Sequence, residues 1–121
     1  MSQKFRAAVL RQPGLSQAYA DSKPLQIEEV SVDAPHEGEV LVRIAAASLC
    51  RSDLSVVTGV RAWPLPIIPG HEASGIVEEV GAGVNSVKPG DHVVLVFQPS
   101  CGACPDCVSG QAHLCGPGLQ A

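Results

Sequence analysis

The stretch "GIVEEVGAGVNSVKPGDHVVLVF", residues 75–97, decides between two architectures. Its glycines invite comparison with the G-x-G-x-x-G turn of doubly wound α/β folds, where a strand runs into the turn and a helix leaves it. In this chain the third glycine position holds Ser86, and the next residues are "VKPGD" (87–91), a turn and not a helix start. Pro89 offers no N–H to a ladder and Gly90 tolerates positive φ, so pairing must stop there. Both flanks, "GIVEEVG" (75–81) and "DHVVLVF" (91–97), carry the apolar and β-branched pattern of strands. The dinucleotide reading fails, and a strand–turn–strand reading replaces it.

The same pattern continues upstream. "KFRAAVL" (4–10), "LQIEEVSV" (25–32) and "EVLVRIAAASLC" (39–50) read as further strands, with "DAPHEG" (33–38) as an explicit break. One short helix is expected over "SDLSVVTG" (52–59), capped by Ser52 or Asp53 and stopped by Gly59. The tail "GPGLQA" reads as loop, and neither an internal repeat nor a low-complexity tract is present. Many short strands with close turns predict a mainly β domain, a Greek key or partly open β-barrel. A chain of 121 residues has the length of one domain; with 45% AVILMFWYC but 3% aromatic residues, its core must be built from Val, Ile, Leu and Ala.

Eight Lys and Arg against twelve Asp and Glu give a formal charge of −4, and no basic run offers a phosphate-neutralising patch. Nucleic acid is therefore not an expected partner. Charge or proline interrupts every apolar run before the length of a membrane span, and "MSQKFRAAVL" lacks a secretory h-region. The expectation is a soluble cytoplasmic chain without a membrane partner, whose cysteines stay reduced and favour metal over disulfides.

Four of the five cysteines crowd into "CGACPDCVSGQAHLC" (101–115), spaced C-x2-C-x2-C-x7-C. Tight turns at Gly102 and Pro105 let thiolates two residues apart face one ion, and four sulfurs form the closed tetrahedral shell of a structural zinc. Donation to the sulfurs by the backbone N–H groups of Gly102 and Ala103 would spread their charge, an arrangement that the sequence does not itself show. An iron-sulfur cluster competes, but the C-x2-C-x2-C-x3-C-P pattern fits three of the cysteines and not the fourth. Free thiols or a disulfide pair are the plainer alternative. Residues 98–121 hold few large apolar side chains, so burial alone could scarcely order them. Structural zinc can supply roughly 10 kcal/mol of coupled folding free energy.

Cys50 stands apart, in "CRSD", upstream of "PGHEASGIVEEVGAGV" (69–84). Alone, Cys50 reads as a buried apolar cysteine and His71 as a turn histidine. Together with the cysteine lobe, however, these motifs resemble the N-terminal, GroES-like catalytic domain of zinc-dependent medium-chain alcohol dehydrogenases. The family's GHExxGxVxxVGxxV pattern is matched at Gly70, His71, Glu72, Gly75, Val77, Val80, Gly81 and Val84. Its structural-zinc loop is matched at Cys101, Cys104, Cys107 and Cys115. The wording "HVVLVFQPSCGACPDC" is most similar to the class III-like alcohol and formaldehyde dehydrogenases.

The resemblance implies a GroES-like partly open barrel over residues 1–121, with a zinc lobe at about 98–118. It implies a second, catalytic zinc on Cys50 and His71, with Glu72 beside it as a transient ligand. Ser52 matches the hydroxyl that begins the proton relay, with a plain helix cap as the other reading. Asp53 matches the carboxylate that steadies the histidine ligand, and Arg51 a contact to the dinucleotide pyrophosphate or else a solvated arginine. Ser55 stands where the family often has the outer relay histidine. His36, His92 and His113 match no motif position.

A third catalytic-zinc ligand, the Rossmann domain that binds NAD or NADP, and the strands completing the catalytic domain are expected beyond residue 121. The chain thus reads as a fragment of an enzyme that oxidises alcohols to aldehydes or ketones by hydride transfer, homo-oligomeric when complete and inactive alone. Its partner would be a small-molecule alcohol or aldehyde. The alternative is a non-enzymatic zinc-binding module left by truncation; a cochaperonin-like role is set aside because neither "GHE" nor the cysteine lobe belongs to that family.

Overall fold

A computed structural model describes residues 3–15 and 18–120. Five strands, β1 (Gln3–Leu10), β2 (Leu25–Val32), β3 (Val40–Ser48), β4 (Glu72–Val80) and β5 (His92–Leu95), form two antiparallel sheets, β1-β2 and β3-β4-β5. Three short helices, α1 (Tyr19–Ser22), α2 (Arg51–Val57) and α3 (Pro105–Val108), and 3-10 turns at Ala112–Leu114 and Gly118–Gln120 complete the described elements. The mainly β expectation holds, and the two sheets remain open without closing into a barrel.

The β1-β2 register runs unbroken from Gln3↔Val32 to Leu10↔Leu25. At its inner end Leu10 also pairs with Ile67: the Leu10 N–H donates to the Ile67 carbonyl at 2.8 Å, and the Ile67 N–H returns to Leu10 at 3.0 Å. This bridge fastens the hairpin to the segment that leads into "PGHE". Leu10 is fully buried against Val56 and Val57 of α2, with Tyr19, Leu25 and Ile67 packed around them. Each such aliphatic side chain contributes about 1.5–3 kcal/mol when buried. The core is aliphatic, as the composition requires, and it clamps α2 onto the hairpin.

β4 begins at Glu72, three residues earlier than expected, because β3 extends to Ser48 and pairs with it. The ladder carries irregularities between Leu41 and Val42 and between Ile44 and Ala46. Gly75 of the GHExxG pattern is buried where a Cβ would collide with the Arg43 carbonyl and sit 2.6 Å from Val42 Cγ1. Gly75→Ala is therefore expected to cost about 1–3 kcal/mol by overpacking. The measurement is the urea midpoint, which should fall without a change in slope; an unmoved midpoint would mean the two strands can part freely.

The helix after Cys50 starts one residue earlier than the sequence reading placed it. Cys50 is the N-cap, neither Ser52 nor Asp53, and Asp53 sits at the third helical position. Its Oδ2 reaches back to accept the Cys50 N–H at 2.8 Å. An acceptor inside the first turn thus does the work of a side chain at the cap. Gly59, at φ +79°, follows the helix end as expected. β5 stops at Leu95, leaving Val96 and Phe97 off the ladder, because its partner β4 has reached its first residues there. The tail expected as loop contains a 3-10 turn, and α1 and α3 are single turns that no periodicity announced. Among the described residues no helix is long and apolar enough to cross a membrane.

Candidate metal centres

The four lobe cysteines converge. Sulfurs of Cys101, Cys104, Cys107 and Cys115 all lie within 4.8 Å of one another, and Cys104 and Cys115 are 3.9 Å apart. A tetrahedron with bonds of about 2.3 Å has sulfur–sulfur edges of about 3.8 Å, so the set has the dimensions of a four-thiolate zinc shell. All five cysteines are free thiols.

Local backbone chemistry produces this convergence. Cys104 caps α3, Pro105 opens it, and one turn later Cys107 faces the same point. The Cys104 N–H donates to Cys101 Sγ, while the Cys101 and Gly118 N–H groups both donate to Cys115 Sγ, each at 3.3 Å. Gly118 approaches so closely that a Cβ there would strike the Pro99 carbonyl. N–H donation from Ala103, then from Cys104, lowers the Cys101 thiol to about 6. Burial pushes the half-buried Cys107 up to about 12 despite a hydrogen bond from the Gly102 N–H, with the neighbouring sulfurs adding to the rise. Four sulfurs at this spacing, with Cys101 and Cys115 already accepting backbone N–H groups, are a donor set that fits a divalent cation, which favours the thiolate at every ligand.

A second cluster joins the end of β3 to the start of β4. Ligand atoms of Cys50, His71 and Glu72 lie within 4.8 Å of one another. His71 Nδ1 is 3.3 Å from Asp53 Oδ1, which also accepts the Gly70 N–H at 3.1 Å. Its other nitrogen, Nε2, lies 3.8 Å from Glu72 Oε1. Burial alone would raise the Asp53 carboxyl, but hydrogen bonds from Cys50, His71 and Gly70 outweigh it and hold the group below its ordinary value. Asp53 is thus a buried carboxylate whose charge is spread over three donors. A cysteine sulfur, an imidazole held through its far nitrogen and a nearby carboxyl group form a mixed donor set suited to zinc.

The profile of the alcohol dehydrogenase GroES-like domain matches residues 36–121. The chain belongs to that family. It is 47% identical to an NDMA-dependent alcohol dehydrogenase of Amycolatopsis methanolica over 95% of its own length, but it spans 29% of that relative. Among solved structures, an alcohol dehydrogenase zinc-binding domain protein from Burkholderia ambifaria matches with a TM-score of 0.84 at 38% identity, over 98% of this chain and 30% of the other. A cobalt- and zinc-bound thermostable alcohol dehydrogenase from Pyrobaculum aerophilum matches at 0.80 and 37%, covering 98% and 34% respectively.

Other residues singled out in this GroES-like domain fall around the second cluster. Ser52 and His71 line one cleft of about 440 Å³ together with Val56, Trp63, Ile68 and Phe97. The larger cavity, about 630 Å³, is lined by Cys50 and Arg51 but by neither His71 nor Ser52, and Asp53 and Pro69 border both spaces. Arg51 is exposed, and the Ser55 hydroxyl donates to the Arg51 carbonyl at 3.1 Å, within its own helix. His36, His92 and His113 belong to neither cluster.

Two neighbours were not anticipated from the sequence. Phe97 meets the His71 ring edge-on, with centroids 5.9 Å apart, and the Ser48 hydroxyl donates to Glu72 Oε2 at 2.6 Å. The β3-β4 register, had it been known, would have placed Ser48 opposite Glu72; no sequence signal places Phe97.

Proposed function

We propose that this GroES-like domain is the catalytic-domain part of a zinc-dependent alcohol dehydrogenase, which in its complete form oxidises a small alcohol to an aldehyde or ketone with NAD or NADP as hydride acceptor. The observation that carries the reading is the convergence of Cys50, His71 and Glu72 with the far nitrogen of His71 fixed by Asp53. A zinc ion held there supplies Lewis acidity that lowers the pKa of a substrate hydroxyl. Cys50 and His71 are its ligands from this chain, and Glu72 is a transient third. Asp53 orients the imidazole, leaving Nε2 toward the centre. Ser52 takes the substrate's proton and passes it outward, and Arg51 binds the pyrophosphate of the dinucleotide. The lobe at about 98–118 carries a separate structural zinc on Cys101, Cys104, Cys107 and Cys115. A further zinc ligand, the dinucleotide domain and the contacts of a homo-oligomer come from the rest of the polypeptide. The reducing cytoplasm, where such thiols persist, is the compartment that suits it.

The reading is tested first on the 121-residue chain itself. Hydride transfer needs the nicotinamide held against the substrate carbon, and positioning of that kind can account for roughly 7–11 kcal/mol of a barrier. The chain alone is therefore expected to give no NAD(P)-dependent alcohol oxidation above background. Sustained turnover by preparations free of contaminating dehydrogenase would overturn the fragment reading.

A further inference from the structure

We propose that Ser48 is a positioning residue, which holds the Glu72 carboxylate in the orientation it presents to the Cys50–His71 centre; the inference rests on the reading of that centre as a metal site. Ser48 is the last residue of β3 and lies directly opposite Glu72, the first residue of β4. Residues opposed across antiparallel strands project from the same face, which brings the hydroxyl and the carboxylate together. Ser48 Oγ donates to Oε2 at 2.6 Å, and the other oxygen, Oε1, is left 3.8 Å from His71 Nε2.

The Glu72 side chain is 54% exposed, and among the described residues the Ser48 hydroxyl is its hydrogen-bond donor. Released from it, a half-exposed glutamate would spread over its rotamers and turn toward water. With one oxygen tied back to β3, the inner oxygen faces the centre before any cation arrives. Hydrogen bonds that orient a ligating carboxylate in this way commonly set metal affinity by tenfold or more.

The test is a Co²⁺ titration of the chain whose loop site already holds zinc, following the visible absorption of the second ion. Ser48→Ala is expected to weaken Co²⁺ binding by about tenfold, while Ser48→Thr, which keeps the hydroxyl, stays close to the unmodified chain. In a Glu72→Ala background, Ser48→Ala should have no further effect. Unchanged amide-exchange protection of the β3-β4 ladder, together with unchanged loop zinc, shows in each variant that folding is intact. Equal Co²⁺ affinity in Ser48→Ala and the unmodified chain overturns the inference, as does an equal loss with and without Glu72. A second ion that survives Cys50→Ala would overturn the metal-centre reading, and this inference with it.

Discussion

Cys50→Ala or His71→Ala, made in a polypeptide that carries the remaining segments, is expected to lose one of two zinc ions per chain and alcohol oxidation with it, while the loop zinc stays. The two clusters share no ligand: one is made by Cys50, His71 and Glu72, the other by four sulfurs between Cys101 and Cys115. Removing a thiolate or an imidazole from the first leaves the second untouched. Ser52→Ala sets the contrast. Ser52 lines the cleft with His71, and a neutral hydroxyl is a weak zinc donor beside Cys50 and His71, so both ions should remain while turnover falls by roughly 10²- to 10⁴-fold, the range for a positioned proton-transfer group. Zinc stoichiometry and turnover measured on the same variants decide the matter. Two zinc ions in Cys50→Ala, or full turnover in Ser52→Ala, would sink the assignment of the second cluster.

Cys104→Ser is expected to empty the loop and disorder residues 98–118. A serine hydroxyl is a poor zinc ligand, and little else orders this lobe. Cys115 is its fully buried side chain, whereas Val108 and Leu114 are 74% and 49% exposed. Apolar burial of that extent cannot replace the roughly 10 kcal/mol that a structural zinc contributes to folding. Zinc content should fall by one per chain, and amide exchange across the lobe should accelerate while the β3-β4 ladder stays protected. Retained zinc together with retained protection would show that the other three sulfurs and the backbone suffice.

What could be read from the sequence was whatever is written locally. β2 occupies the residues its alternation marks, 25–32, and the missing third glycine at Ser86 correctly removed the doubly wound alternative. The cysteine lobe was legible because four ligands within fifteen residues are constrained by turn geometry alone. Elements of a single turn, α1 and α3, are too short to show a period, and went unseen for that reason. The helix start was misplaced for a subtler cause. Asp53 looks like a cap in the sequence, and it does satisfy a cap N–H, but from inside the first turn. Longer-range pairings left no trace at all. The Leu10–Ile67 bridge and the Ser48–Glu72 hydrogen bond depend on how separate strands register, which no single segment encodes. The pairing of Cys50 with His71 likewise came from resemblance and not from any spacing rule; in the folded chain Asp53 accepts the Cys50 N–H just before α2 and the Gly70 N–H just before β4, which draws the two starts together.

The three donors gathered by Asp53 also set how much variation the chain can absorb at that position. Its two oxygens take the Cys50 N–H, the Gly70 N–H and His71 Nδ1, all at once. Asparagine has the same shape but turns an NH₂ toward one of those donors, and glutamate places its oxygens a methylene too far along. Alanine leaves all three donors without a partner at a buried spot. Leu54, the next residue, is exposed and free of any such duty. Within two adjacent codons, then, the chain passes from a site that tolerates little substitution to a site that admits many, and the boundary is drawn by hydrogen-bond valence and not by distance from the Cys50–His71 cluster.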